Sequence, residues 1–377
     1  MAITRRQFAV STLPLLGAAV SLSACSNNSS DDDYSTLASA IRRPSALSAL
    51  TDVAAINHEL IRYATLAPSS HNTQCWKFAL TSNVIGNANS KSIMILPDLS
   101  RRCPAVDPDD HHVFISLGCA TENLVQAALA HGLYAQPRFD TMQDAINVSL
   151  TPTTARSSLL FQAIATRQCT RGDYDGKSLS IEELQLLERA GTSGNVRIML
   201  LTQHSDMERV KEYVLQGNSA QIADPAFVIE LKTWIRFNGS EAARTRDGLF
   251  SATTGNPTIP TWLGELAFPW LFTAKSENDK IARQISSSAG IALFVGQAAD
   301  KANWVDVGRA YERFALQATA LGIRNAFLNQ PVEVAAVRSP FAVAMGIPGL
   351  RPDLVVRFGR GPVMPQSLRR SVQAVLV

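Results

Sequence analysis

Two stretches of this 377-residue chain carry side chains whose types and spacing suit ligand chemistry. The first is Ala67-Pro68-Ser69-Ser70-His71-Asn72-Thr73-Gln74-Cys75-Trp76, between a helical pattern and a strand pattern. Pro68 stops the helix, and Ser69, Ser70 and Asn72 offer hydroxyl and amide groups in a turn. Such a loop can hydrogen-bond a polar heterocycle or a sugar; on turn chemistry alone it is a helix stop. The second is Arg167-Gln168-Cys169-Thr170-Arg171-Gly172-Asp173-Tyr174, two guanidinium groups four residues apart around small side chains. Their forked donors suit phosphate oxygens, at about 1.5–3 kcal/mol per charge-assisted bond.

Other groups carry less. Arg369 and Arg370 follow a Gly359-Arg360-Gly361-Pro362 turn, and on their own read as a solvated basic tail. Asp107-Pro108-Asp109-Asp110-His111-His112 is rich in ligand types, but adjacent histidines do not easily face one ion. It reads instead as a charged helix start with Asp109 or Asp110 near the cap, and no metal is expected. Glu122 and Glu312 read as helix-surface residues. No Gly-x-Ser-x-Gly, Walker A, His-Glu-x-x-His or Gly-x-Gly-x-x-Gly string occurs.

The elements that must position these groups alternate in type. Short β-branched runs at Lys77–Leu80, Ser92–Leu96, Ile146–Leu150, Val196–Leu201, Gly290–Val295 and Leu354–Phe358 read as strands. Helical periodicity marks Ile56–Leu66, His112–His131, Ile181–Ala190, Met207–Leu215 and Trp304–Leu321. The interleaving implies an α/β or α+β domain. Two of the helices align without gaps, from Gly118 to Gly132 and from Gly308 to Gly322. They share Gly118/Gly308, Ala120/Ala310, Glu122/Glu312, Ala128/Ala318, Ala130/Ala320 and Gly132/Gly322. The early glycines with flanking alanines let two helices approach closely, and the closing glycines suit C-caps. Ala-rich helices can coincide in this way; an internal repeat of about 175 residues, packed as a pseudo-dimer, is the simplest other origin. Residues 218–277 are rich in Trp and Phe and read as an insertion, either a lid or an extra core-forming subdomain.

Ala67-Pro68-Ser69 with Asn72, Gln74 and Trp76 resembles the signature of the nitroreductase-like flavoprotein superfamily. His71 before Asn72 is similar to its single-chain Acg branch. The resemblance implies FMN as cofactor, with Pro68, Ser69, Ser70, Asn72 and Gln74 at the flavin. Cys75 departs from the usual proline. It further implies that Arg167, Cys169 and Arg171 grip the FMN phosphate, with Cys169 where Ser or Thr is usual. Arg369 and Arg370 would return to that phosphate, and Asn329 and Gln330, in Phe327-Leu328-Asn329-Gln330-Pro331-Val332-Glu333, would reach the flavin N5 edge. The matches run from about residue 57 to 370, with the flavin loop in one half and the phosphate motif in the other. The implied protein is an α+β, internally duplicated pseudo-dimer with an inserted lid and one FMN per chain. Its expected activity is ping-pong electron transfer through flavin N5 from an unknown donor to a small organic acceptor. The rival is an exported protein that sequesters flavin without turnover. No residue is assigned as catalytic.

The N-terminus bounds where this would happen. Thr4-Arg5-Arg6-Gln7-Phe8 resembles a twin-arginine export motif, an apolar run follows, and Leu22-Ser23-Ala24-Cys25 resembles a lipobox. The run of about 15 residues is shorter than the roughly 20 of a membrane span. Residues 1–24 are therefore expected to be a removed signal, Cys25 a lipidated anchor and 25–50 a solvated tether, giving a periplasmic lipoprotein on its membrane. Residues 51–155 and 156–377 are then the two halves. Composition is that of an ordinary globular protein, 46% hydrophobic and 18% charged, and the resemblance implies a monomer. Removing Arg5 and Arg6 leaves 33 basic side chains against 32 acidic, so nothing draws the chain to nucleic acid. Cys75, Cys103, Cys119 and Cys169 remain, enough for two disulfides or four free thiols.

Overall fold

In the computed structural model, which describes residues 27–44, 52–85 and 88–377, two four-stranded antiparallel sheets have the same strand order. The signal and Cys25 lie outside the described residues. Helices α1 (Asn27–Ile41) and α2 (Val53–Thr65) lead into the hairpin β1 (Trp76–Ile85) and β2 (Ala88–Pro97). Then come α3 (His111–Ala130), β3 (Leu133–Asp140) and β4 (Ala145–Pro152), and the sheet runs β1-β2-β4-β3. After α4 (Leu159–Ala163) and α5 (Ile181–Gly191), strand β5 (Val196–Leu201) opens the second sheet. A long excursion follows: α6 (His204–Ala223), α7 (Pro225–Trp234), β6 (Ile235–Arg236), α8 (Gly239–Thr245), β7 (Leu249–Phe250), α9 (Thr261–Leu271) and α10 (Ala274–Ser286). Strand β8 (Gly290–Gly296), α11 (Lys301–Ala320), β9 (Arg324–Phe327), α12 (Gln330–Glu333), α13 (Ala335–Ala344) and β10 (Leu354–Gly359) complete an order β5-β8-β10-β9.

Each sheet is thus strand, strand, helix, strand, strand, and the excursion from His204 to Ser286 replaces the β1–β2 turn. That excursion is wider than residues 218–277. The fold is α+β. All six expected strands and all five expected helices form; β3 and β9 went unmarked because Gln136, Pro137 and Arg138 break the β-branched signal and β9 is four residues long.

Gly118 and Gly308 explain how the units meet. A Cβ on Gly118 would lie 2.1 Å from the Val305 carbonyl oxygen, and one on Gly308 2.0 Å from that of Ile115. Only glycine lets α3 and α11 cross backbone to backbone. Both helices are largely buried, so α3, long and apolar enough to span a bilayer, is a core helix. Glu122 and Glu312 are buried too, rather than on a helix surface. Glu122 accepts from Arg309 Nε and Arg313 Nη1 of the facing helix, at 3.2 and 3.1 Å.

Within the expected solvated tether, Asn27–Ile41 is helical. Tyr34, Leu37 and Ala38 recur at i, i+3 and i+4, an apolar stripe among serines and aspartates. Tyr34 packs on Phe250, ring centroids 4.6 Å apart, and its hydroxyl donates to the Gln366 carbonyl at 2.5 Å.

Candidate functional site

Below the end of α2 a cavity of about 570 Å³ opens between the two units and the excursion, within the usual size of a small-ligand site. The Pro68–His71 loop forms one wall, α3 contributes His112, Ser116 and Cys119, and the Asn329–Gln330 turn closes the far side. The excursion supplies an apolar roof with Phe227, Leu231 and Phe268.

The loop is held in an uncommon shape. His71, Asn72 and Gln74 have φ of 47°, 53° and 55°, the left-handed region that non-glycine residues seldom occupy. Long-range bonds fix it. Asn72 Nδ2 donates to the Gly248 and Leu368 carbonyls at 3.1 and 3.3 Å, and its Oδ1 accepts from Arg369 at 2.9 Å. Gln74 Nε2 donates to the Arg246 carbonyl at 2.8 Å, while its Oε1 accepts from the Arg370 N–H at 2.7 Å. Asn72 and Gln74 are therefore buried clamps and do not line the cavity. Ser69, whose Oγ accepts from Gln74 N at 2.9 Å, and Ser70 do.

Of the cations expected around one phosphate, Arg167 and Arg369 meet at the Leu66 carbonyl, at 2.9 and 3.2 Å, while Arg171 and Arg370 lie elsewhere. Arg167 is buried and its Nε faces Glu312 Oε1 at 3.2 Å, while Nη2 donates to the Leu66 carbonyl. Arg369 spends its donors on Thr65, Leu66 and Ala67 carbonyls at the end of α2, the groups a helix C-terminus leaves unpaired. Arg370 is tied to Gln74 and to the Ala374 carbonyl. Cys169 sits beside Asn325 in a short parallel bridge, away from the cavity lining. Arg171 alone of these reaches the cavity, joined by Lys280 of α10, which no sequence signal marked.

At the other end Glu333 Oε1 lies 3.7 Å from His112 Nδ1, and Glu333 Oε2 accepts from Gln221 Nε2 at 2.6 Å. Burial pushes the Glu333 carboxyl up, against the pull of His112 and Gln221, and pushes His112 down. His112 Nε2 and Gln330 Oε1 are buried on the cavity wall without a hydrogen-bond partner, the kind of atom a ligand satisfies. Glu333 was visible as the last residue of the Phe327–Glu333 string; His112 was hidden in a motif read as a helix start. Asn329 itself is largely structural, its Oδ1 accepting from Val355 N at 2.9 Å.

Asp110 stands at the N-cap of α3, as expected, but its side chain does not do the capping. Asp107 Oδ2 accepts from the N–H groups of His112 and Val113 instead, at 2.8 and 3.2 Å. Asp107, His111 and His112 keep ligand-type atoms within 4.8 Å of one another, as do His71, Cys103 and Glu230. In the first group His111 Nε2 stands 2.9 Å from Asp353 Oδ1 and Asp107 Oδ2 caps α3, while His111 Nδ1 and His112 Nε2 have no partner. All four described cysteines are free thiols.

No family model matches the chain. Proteins from two strains of Mycobacterium tuberculosis, each named as a candidate NAD(P)H nitroreductase, are 25% identical to it over 328 residues, 84% of this chain and 90% of their own length. Among solved structures, a candidate nitroreductase from Anabaena variabilis has a TM-score of 0.44 at 10% identity, covering 79% of this chain and 82% of its own. A nitroreductase with bound FMN from Bacteroides fragilis has a TM-score of 0.34 at 16% identity, covering 55% and 90%.

Proposed function

We propose that this chain is an FMN-dependent oxidoreductase of the nitroreductase type that reduces a small organic acceptor. The observation that carries the reading is the convergence of the Pro68–His71 loop and the Asn329–Gln330 turn on one cavity that also holds Arg171. The 25% identity to the mycobacterial proteins, spread over most of both chains, supports it.

The residues present fit FMN. Arg171 and Lys280 are the donors suited to a phosphate. Ser69, Ser70 and the unpartnered Gln330 Oε1 suit the polar edge of a flavin. Phe227, Leu231 and Phe268 exclude water from above, as a lid would. Bound FMN would supply two-electron storage, so that donor and acceptor react in turn, in ping-pong order. Reduction of the acceptor also consumes a proton. The Glu333 carboxyl, pushed up by burial, is the group at the cavity wall placed to supply it, 3.7 Å from His112 Nδ1 and oriented by Gln221.

Export by the twin-arginine route and anchoring through Cys25 belong to the same proposal, on the strength of residues 4–8 and 22–25. The protein then works as a monomeric pseudo-dimer at a membrane, drawing electrons from a membrane or protein donor instead of NAD(P)H. The covering of the cavity by the excursion favours one second reading, an exported protein that stores flavin without turnover.

Purified protein tests the reading. Yellow colour and release of FMN on denaturation are expected. Colourless protein that takes up no flavin when refolded with FMN would overturn it. Anaerobic reduction followed by mixing with a nitroaromatic or quinone acceptor separates turnover from storage. R171A is expected to lower FMN affinity without moving the thermal midpoint.

A further inference from the structure

Helix α9 turns an apolar face to the outside. Trp262, Leu266 and Trp270 recur at i, i+4 and i+8, so they stand in one line along the helix. They are 68%, 56% and 71% exposed, with Leu263 at their flank and Leu271 exposed at the helix end, towards the cavity. Glu265 is the one charge in the helix. The inward face is fixed independently: Gly264 and Phe268 are buried, and a Cβ on Gly264 would lie 2.3 Å from the Phe237 ring. Rotating the stripe inward would therefore break a close contact.

Single exposed leucines need no explanation, but five large apolar side chains on eleven residues do. The chemistry favours a lipid surface over a protein partner. The indole ring, apolar with one N–H, prefers the headgroup level of a bilayer, and here one stands near each end of the stripe. A convex helix face with its charge at the flank is the shape of an interfacial helix. Chain placement agrees. Tyr34 of α1 packs on Phe250 beside α8, and Glu241 of α8 accepts from Thr261 Oγ1 at the first residue of α9, at 3.2 Å. The segment that leads back to Cys25 and the apolar run Phe8–Leu22 thus leaves from the lobe that carries the stripe.

We propose that the outer face of α9 lies in the headgroup–acyl boundary of a phospholipid bilayer, seating the excursion on the membrane. The cavity is then one helix away from lipid: Phe268 and Leu271 of the same helix line it. A lipid-dissolved reactant can enter beside Leu271, a consequence that rests on the oxidoreductase reading, whereas the docking does not.

The test uses the full chain reconstituted on phosphatidylcholine vesicles whose acyl chains carry bromine, a short-range quencher of indole emission. Of the five tryptophans, Trp76 and Trp304 are buried in the core and none lies in residues 1–26, so an anchor cannot mimic the signal. Emission is expected to be quenched relative to vesicles without bromine, and W262Q/W270Q to abolish that difference. Equal emission on both vesicles, or quenching unchanged in the double variant, would overturn the proposal. A second copy of the chain on the stripe would show as blue-shifted emission and doubled mass without vesicles, and would overturn it equally. FMN released from the same samples reports on the enzymatic reading separately.

Discussion

Arg167 Nε stands 3.2 Å from Glu312 Oε1, with neither side chain reaching water. The pair joins the segment before α5 to the middle of α11, and Arg167 Nη2 reaches on to the Leu66 carbonyl at the end of α2. It welds three elements around the cavity without entering it. Arg171, four residues on, is the guanidinium that a ligand meets.

The two arginines should therefore fail in different ways. R167M leaves Glu312 buried and unpaired, a loss of about 3–5 kcal/mol. Urea unfolding is expected to show a large fall in midpoint, and R167M/E312M to recover most of it, because the second change removes the stranded charge. A single variant that unfolds like wild type would show that the pair does not hold the structure.

Gly308 is expected to be intolerant of even one methyl group. The Cβ of G308A would meet backbone, the Ile115 carbonyl oxygen at 2.0 Å, which cannot swing aside as a side chain can. Relief requires α3 and α11 to separate, disturbing the core on both sides, and overpacking of this kind costs about 1–3 kcal/mol or more. Gly322, with nothing within 4 Å of its Cβ, is the control position: G322N keeps its φ of 70° accessible and should stay within a fraction of that loss. Thermal unfolding of the two variants side by side checks the ordering.

These positions also mark what the sequence could tell. The strands, the long helices and the paired glycines of α3 and α11 were legible because each is a local pattern. The Pro68–His71 loop and the Asn329–Gln330 turn were legible as strings. Which arginine reaches the cavity was not, since Arg167 is decided by Glu312, 145 positions away in sequence. Nor was α1 as a docked helix, because the three residues of its docking face are scattered among polar ones and their partner, Phe250, lies in the excursion. Lys280 had no local mark at all. Pairing between distant segments decides such roles, and no window of neighbouring residues contains it.

His71 gives the fold an acid limb. Burial pushes its imidazole down to about 4, with the Arg171 charge adding to the effect. In the unfolded chain it takes up a proton near 6.5. As pH falls from 6.5 towards 4, the unfolded state gains a proton that the folded state refuses, so stability is lost over that window. H71N keeps a residue that accepts the left-handed φ of 47° and removes the titration. The stability difference between wild type and H71N, followed by denaturant midpoint from pH 7 to 4, is expected to move in favour of the variant on acidification. A difference that stays constant with pH would sink the assignment.

Glu333 is where the proton of the proposed reaction should be read. Burial holds its carboxyl above the ordinary range, so it keeps a proton at pH values where a surface glutamate has lost it. Acceptor reduction is then expected to slow as pH rises through that raised value. E333Q should remove the limb and lower the rate, on the order of 10²-fold for a lost general acid, with FMN content unchanged. Gln221 supplies the sign test. Its amide donates to Glu333 Oε2 at 2.6 Å and favours the charged form. Q221L removes that bond, so the limb should shift to higher pH while its shape persists. A shift downward, or a limb still present in E333Q, would place the proton on another group.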